Sequence, residues 1–187
     1  MGAKPWIIGL VGGMGSGKSA VARAFERHGG RVVVADDLGH EALRQPDGHA
    51  RSVGPWGDRV LDSEGRVDRK KLGAIAFASP VERTNLEMLV FPWIERRIRE
   101  EVEKARSESG VKGIVLDAAI MLESGWSGVC DKVVYVHAPR AVRLERLRTQ
   151  RGWSEAEVVE RETAQMPLAV KALRADAATD NSGSLEQ

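Results

Sequence analysis

Gly12-Gly13-Met14-Gly15-Ser16-Gly17-Lys18-Ser19 is the stretch that decides how the rest of this sequence is read. It fits the pattern G-x-x-x-x-G-K-[ST] in full. Before it, Trp6 to Val11 is a short apolar, β-prone run ended by glycines. After it, roughly from Lys18 to His28, Val21, Ala22 and Phe25 recur at helical spacing until Gly29-Gly30 stops the pattern. Arg31-Val32-Val33-Val34-Ala35 predicts a second strand, followed by Asp36-Asp37. Strand, helix, strand in that order is a βαβ unit, which requires parallel strands.

The loop's chemistry explains its spacing. Glycines let consecutive backbone N–H groups turn inward around an anion, and the following helix adds its positive N-terminal end. The expected nucleotide set is Gly13, Met14, Gly15, Ser16, Gly17, Lys18, Ser19 and Ala20, with Lys18 on the β- and γ-phosphates of ATP and the Ser19 hydroxyl on Mg²⁺. The motif does not name a reaction, because kinases, GTPases and ATPases share it.

Two carboxylates narrow the choice. Asp36 is expected at the C-terminal end of the second strand, the edge where open α/β sheets bind ligands. There it could take the proton of an attacking hydroxyl, or simply cap a helix; Asp37 competes for either job. Asp117 ends the apolar strand Gly113-Ile114-Val115-Leu116-Asp117, the pattern of a strand-end acid that holds Mg²⁺ through water. Glu123 is explained equally well by a salt bridge or by solvent.

Residues 38–110 are charged and contain no further convincing strand. Ser79-Pro80-Val81-Glu82 reads as a capping box with a first-turn proline. Leu86, Leu89, Val90, Trp93, Ile94, Ile98 and Val102 then share one helical side, with Pro92 expected to kink or interrupt the helix. Lys132-Val133-Val134-Tyr135-Val136-His137 resumes the sheet. Pro139 to Arg151 reads as a helix, Ser154 to Glu157 opens another with a second capping box, Pro167 starts a third, and Ala177 to Asp180 makes a last short strand. Arg140, Arg143, Arg146, Arg148 and Arg151 crowd one helical segment, where one or two are expected to clamp phosphate and the rest to face solvent. The expected fold is α/β: a P-loop three-layer sandwich on a parallel sheet. Its core comprises residues 1–37, 111–138 and 172–187, with a helical substrate-side insertion over 38–110 and an arginine-rich lid over 139–171.

Composition sets the outer limits. The 187 residues carry 28 basic and 27 acidic side chains, a net charge of +1, which argues against a life on nucleic acid or anionic membrane. No apolar run approaches the ~20 residues of a membrane span. Cys130, the one cysteine, cannot form an internal disulfide, and His28, His40, His49 and His137 show no metal-ligand spacing. The expected protein is cytoplasmic and monomeric.

With these residues in place, the chain resembles the dephospho-CoA kinase family. The resemblance runs from about Ile7 to Asn181 and rests on Gly9 to Ser19, Ala35-Asp36, Leu116-Asp117 through Leu122-Glu123, Arg151-Gly152-Trp153-Ser154, Arg161, Gln165-Met166-Pro167, Lys171, Ala175-Asp176 and Asp180-Asn181-Ser182-Gly183. It implies transfer of the γ-phosphate of ATP to the ribose 3′-hydroxyl of dephospho-CoA, with Mg²⁺. By the same resemblance Asp36 is the base or hydroxyl-orienting group, Arg151 is the lid arginine with Arg148 as its rival, and Asn181 lies near the adenine. Val34 stands where the family has the first aspartate of D-A-D, Phe91 where it has histidine before Pro92, and Ala119 where it has proline. The lid arginine falls one residue off, leaving Gln150 as its positional equivalent. The alternatives are another small-molecule P-loop kinase of nucleoside or nucleotide type, and a nucleotide-binding relative without turnover. A GTPase switch is disfavoured: Asp62-Ser63-Glu64-Gly65 matches D-x-x-G without a buried strand before it, and no N-K-x-D occurs.

Overall fold

A computed structural model describes residues 4–44 and 54–183. Residues 1–3 and 184–187 of the core assigned above, and 45–53 of the insertion with His49, lie outside the described residues. The elements in chain order are β1 (Trp6–Val11), α1 (Lys18–Arg27), β2 (Arg31–Val34), α2 (Ala35–Ala42), α3 (Arg69–Ala78) and α4 (Pro80–Ser107). They continue with β3 (Gly113–Asp117), β4 (Lys132–His137), α5 (Arg140–Arg151), α6 (Glu155–Thr163), α7 (Leu168–Leu173) and β5 (Ala177–Asp180). The chain forms two compact units, one of residues 1–34 with 101–187 and one of residues 35–100.

The first unit is built on a five-stranded sheet of order β2-β3-β1-β4-β5 in which every pair is parallel, as the βαβ reading requires. Parallel strands need covering on both faces, and all five residues of β3 are buried accordingly. Leu10, Val115 and Val136 form a core cluster with Ala22 of α1, and Val21 and Phe25 pack against it. Those are the helical positions that the spacing in the sequence marks as apolar. In the β1–β3 register Leu10 lies opposite Asp117, so the glycine loop that leaves β1 begins level with that carboxylate. Asp176 ties the last strand down, accepting the Val133 N–H at 2.8 Å and pairing with Lys132 at 2.9 Å.

In the second unit Trp56, Val60 and Leu72 form a separate core, against which Leu86 and Leu89 of α4 pack. Two local expectations change. α4 is not interrupted at Pro92: it runs unbroken from Pro80 to Ser107. An interior proline costs a helix ~3 kcal/mol. Leu86 and Leu89 on one side of it, with buried Ile94, Ile98 and Val102 on the other, contribute more than that, at roughly 1.5–3 kcal/mol for each fully buried side chain. The capping box at its start is only half formed. Ser79 Oγ accepts the Glu82 N–H at 3.4 Å, but the Glu82 carboxylate instead accepts the Trp56 indole N–H at 2.6 Å. A buried indole needs an acceptor, and Glu82 supplies it.

Asp62 of the D-x-x-G match shapes its own turn, accepting the N–H groups of Glu64 and Arg66, both at 2.9 Å. Those bonds, the Arg66 amide foremost, hold its carboxyl below the usual range. The turn connects Leu61 and Val67, which pair in an isolated antiparallel bridge, and it needs no nucleotide to explain it.

Candidate active site

Two glycines make the loop possible. Gly15 (φ +73°) and Gly17 (φ +88°) are left-handed, and a Cβ on either would collide, with the Arg143 carbonyl oxygen at 2.6 Å for Gly15 and with Asn181 Nδ2 at 2.0 Å for Gly17. The loop closes on itself through the Ser16 N–H to the Gly13 carbonyl at 3.1 Å. α1 starts directly after it with Gly17 as its N-cap, no side-chain cap and no acidic residue in its first turn. Its first amides therefore keep their partial positive charge for an anion. Ser16, only 1% exposed, carries a hydroxyl with no hydrogen-bond partner in the structure. A buried unpartnered polar atom is costly, and an anion in the loop would offset that cost.

Lys18 Nζ lies 3.3 Å from the Gly12 carbonyl oxygen, folded back over the loop. The Ser19 hydroxyl donates to Asp117 Oδ2 at 3.1 Å, and Asp117 is 8% exposed at the end of β3. A serine hydroxyl beside a carboxylate is a hard-oxygen pair of the kind Mg²⁺ takes when phosphates and water complete its shell. Among the described residues no group of three His, Cys, Asp or Glu could hold a metal, so protein ligands alone would not make the site. Asn181, just past β5, donates from Nδ2 to the Ser16 carbonyl at 2.8 Å and so braces the loop from the other side.

The arginine helix sorts its members by partner. Arg143 is 6% exposed and donates to the Met14 carbonyl at 3.2 Å and to Glu162 of α6. Arg146 reaches the Gly15 and Ser16 carbonyls, each at 3.5 Å, and Gly183 at 3.1 Å. These two touch the loop. Arg148 pairs with Glu145 on an exposed face at 3.0 Å, and that hydrogen bond holds the Glu145 carboxyl below its usual range. Arg151 and Arg161 stack on the Trp153 indole, 4.9 and 4.4 Å from its centroid. Arg143 and Arg146 were not singled out from the other arginines in the sequence. The available signal was that Arg143 shares a helical face with Leu147 four residues on, and both are buried.

Asp36 belongs to the second unit. β2 stops at Val34, one residue earlier than expected, and Asp36 sits exposed in the first turn of α2 beside Asp37. Two acids in a first turn favour helix there, which explains the earlier boundary.

A glycine loop between β1 and α1, an acid at the end of the neighbouring parallel strand, and arginines brought onto the loop from a later helix are together the fold of a P-loop nucleotide-binding protein. Comparison with known proteins gives the particular family. A family model described as dephospho-CoA kinase matches residues 6–187. The dephospho-CoA kinase of Geobacillus kaustophilus is 38% identical over 181 residues, covering 96% of this chain and 90% of that one. A solved Thermus thermophilus protein superposes with a TM-score of 0.83 at 34% identity, over 98% of this chain and 92% of the other. The dephospho-CoA kinase structure from Campylobacter jejuni, at 23% identity and a TM-score of 0.69, covers 95% and 89% and shares the fold. The chain belongs to the dephospho-CoA kinase family.

Proposed function

We propose that this protein transfers the γ-phosphoryl group of ATP to the ribose 3′-hydroxyl of dephospho-CoA, giving CoA and ADP. The family match over almost the whole chain carries the reading, and an intact anion loop supports it. The hydroxyl oxygen forms the new P–O bond as the bond between the γ-phosphorus and its bridging oxygen breaks, and ADP leaves with that oxygen. Asp36 takes the hydroxyl proton. The loop amides and Lys18 grip the phosphate tail, so the reacting group is held in place by dipoles set before the reaction starts. Ser19 and Asp117 would hold Mg²⁺, which neutralises charge on the β- and γ-phosphates.

In this reading the sheet with α1 is the nucleotide core, residues 38–110 serve the acceptor, residues 139–171 form the lid, and Asn181 borders the adenine. Arg151 is the lid arginine, with Arg148 as rival; Arg143 and Arg146 keep the loop's shape from behind. The protein acts as a cytoplasmic monomer without nucleic-acid partners, and no helix among the described residues is long and apolar enough to cross a membrane. The test is ATP–Mg²⁺ with a panel of hydroxyl acceptors, read by the mass of the product. Phosphorylation of dephospho-CoA is expected; phosphorylation of a nucleoside or sugar in its place overturns the proposal.

A further inference from the structure

Lys171 of α7 is 1% exposed, yet it carries a full charge that the mechanism above does not use. All three donors of its ammonium have an acceptor: Glu123 Oε1 at 2.9 Å, the Ala119 carbonyl at 2.9 Å and Gln165 Oε1 at 3.3 Å. Glu123 Oε1 also accepts the Met166 N–H at 2.9 Å. Burying such a pair is costly, and apolar residues of the same volume can hold a fold as well or better. What apolar packing lacks is direction, since it does not fix which backbone atoms meet.

The directions here are specific. On one side the pair grips the segment just after Asp117, at Ala119 and Glu123. On the other it grips Gln165 by its side chain and Met166 by its backbone. Gln165, Met166 and Leu168 line a cavity of about 460 Å³ together with Arg140, Glu162 and Gly13, at the start of the phosphate loop. Lys18, assigned above to the β- and γ-phosphates, folds back to within 3.3 Å of the carbonyl oxygen of Gly12, the neighbour of Gly13. The cavity therefore borders the end of the loop where the terminal phosphate meets its acceptor.

Resting on the functional reading above, we propose that Lys171 and Glu123 are positioning residues for phosphoryl transfer. They pin the Gln165–Leu168 wall to the Asp117 segment, and so set the width of the acceptor's approach to Gly13. They touch neither substrate.

The variant K171M/E123Q tests this. It removes both charges together, so no lone charge is left buried, and the glutamine can still accept from Met166 N–H. With the acceptor that the wild type turns over, kcat/KM for the acceptor should fall at least tenfold, KM for ATP should stay within twofold, and the melting temperature should change little. Wild-type kinetics in this variant would make the pair a packing feature only. A rise in ATP KM equal to the acceptor effect would move it to the nucleotide side, and either result overturns the proposal. Should the double variant fail to fold, E123D alone, which keeps both charges but draws the carboxylate back from the Met166 N–H, is read the same way. A threefold or larger acceptor-specific loss is expected; wild-type values would be fatal. A wild type that ignores dephospho-CoA but phosphorylates another member of the panel refutes the functional reading alone, and the variants are then compared on that acceptor.

Discussion

Gly17 offers the sharpest quantitative test of the loop geometry. Replacing it with alanine asks for two separate things. The backbone must keep φ near +88° with a side chain present, which costs about 1–2 kcal/mol for an L-residue. The new methyl must also fit where Asn181 Nδ2 sits, 2.0 Å away. Asn181 is a side chain and can swing aside, but doing so breaks its 2.8 Å bond to the Ser16 carbonyl, worth about 1 kcal/mol. G17A should therefore destabilise by about 2–3 kcal/mol, a fall in melting temperature of about 4–12 °C for a chain of this size. N181A removes only the bond and should cost about 1 kcal/mol. In the double variant the methyl meets no obstacle and the bond is already gone, so the total stays at about 2–3 kcal/mol instead of the additive sum, which is about 1 kcal/mol larger. Thermal melts of the four proteins, followed by circular dichroism, give that coupling directly. Independent sites add within about 0.3–0.5 kcal/mol, so strict additivity would mean that Gly17 and Asn181 are not in contact and that the brace on the loop is misread.

D36N should leave ATP affinity nearly unchanged and lower kcat by about 10²–10⁴-fold, the range for a lost general base; steady-state kinetics at saturating ATP measures it, and wild-type turnover would move the role to Asp37. D117N keeps an oxygen for the Ser19 hydroxyl but loses the charge, so the Mg²⁺ concentration giving half-maximal rate should rise roughly tenfold or more; an unchanged Mg²⁺ dependence would remove Asp117 from the metal site. Burial, reinforced by the charge of Asp131, pushes the Cys130 thiol up to about 12. Its thiolate fraction at pH 8 is then lower than that of an ordinary thiol by about a thousandfold, so iodoacetamide should label it only in denaturant, and rapid labelling of the native protein at pH 8 would contradict the burial.

What could be read from the sequence was local. The loop, the β3 run with its terminal Asp117, and the capping box at Ser154, where both bonds form, are each settled within a few residues, because glycine dihedrals, strand burial and helix caps are short-range physics. Boundaries were less legible: Ala35 and the two acids after it suit a helix start as well as a strand end, and the structure makes them a helix start. Pro92 does not interrupt α4 because its cost is local, whereas the burial of Leu86, Leu89, Ile94 and Ile98 that offsets it is not. The charged residues were the hardest, since a charge takes its role from a partner the fold delivers. Arg140, Arg143 and Arg151 all lie on the Leu147 side of α5, yet they end differently. Arg143, at the end of the helix's first turn, is carried to the loop at Met14, 129 positions away. Arg151 is the last residue before the left-handed Gly152 C-cap, and its guanidinium goes to Trp153. Lys171 and Glu123 show the same rule from the opposite direction. Neither has an apolar pattern to mark it as buried, and only the meeting of α7 with the segment after β3 makes one the counter-charge of the other. If buried charges in this fold take their place from long-range contacts, then substitutions at Lys171 and Arg143 should alter the shape of the site, while the exposed Arg99–Glu95 pair of α4, which is local, is free to change without consequence.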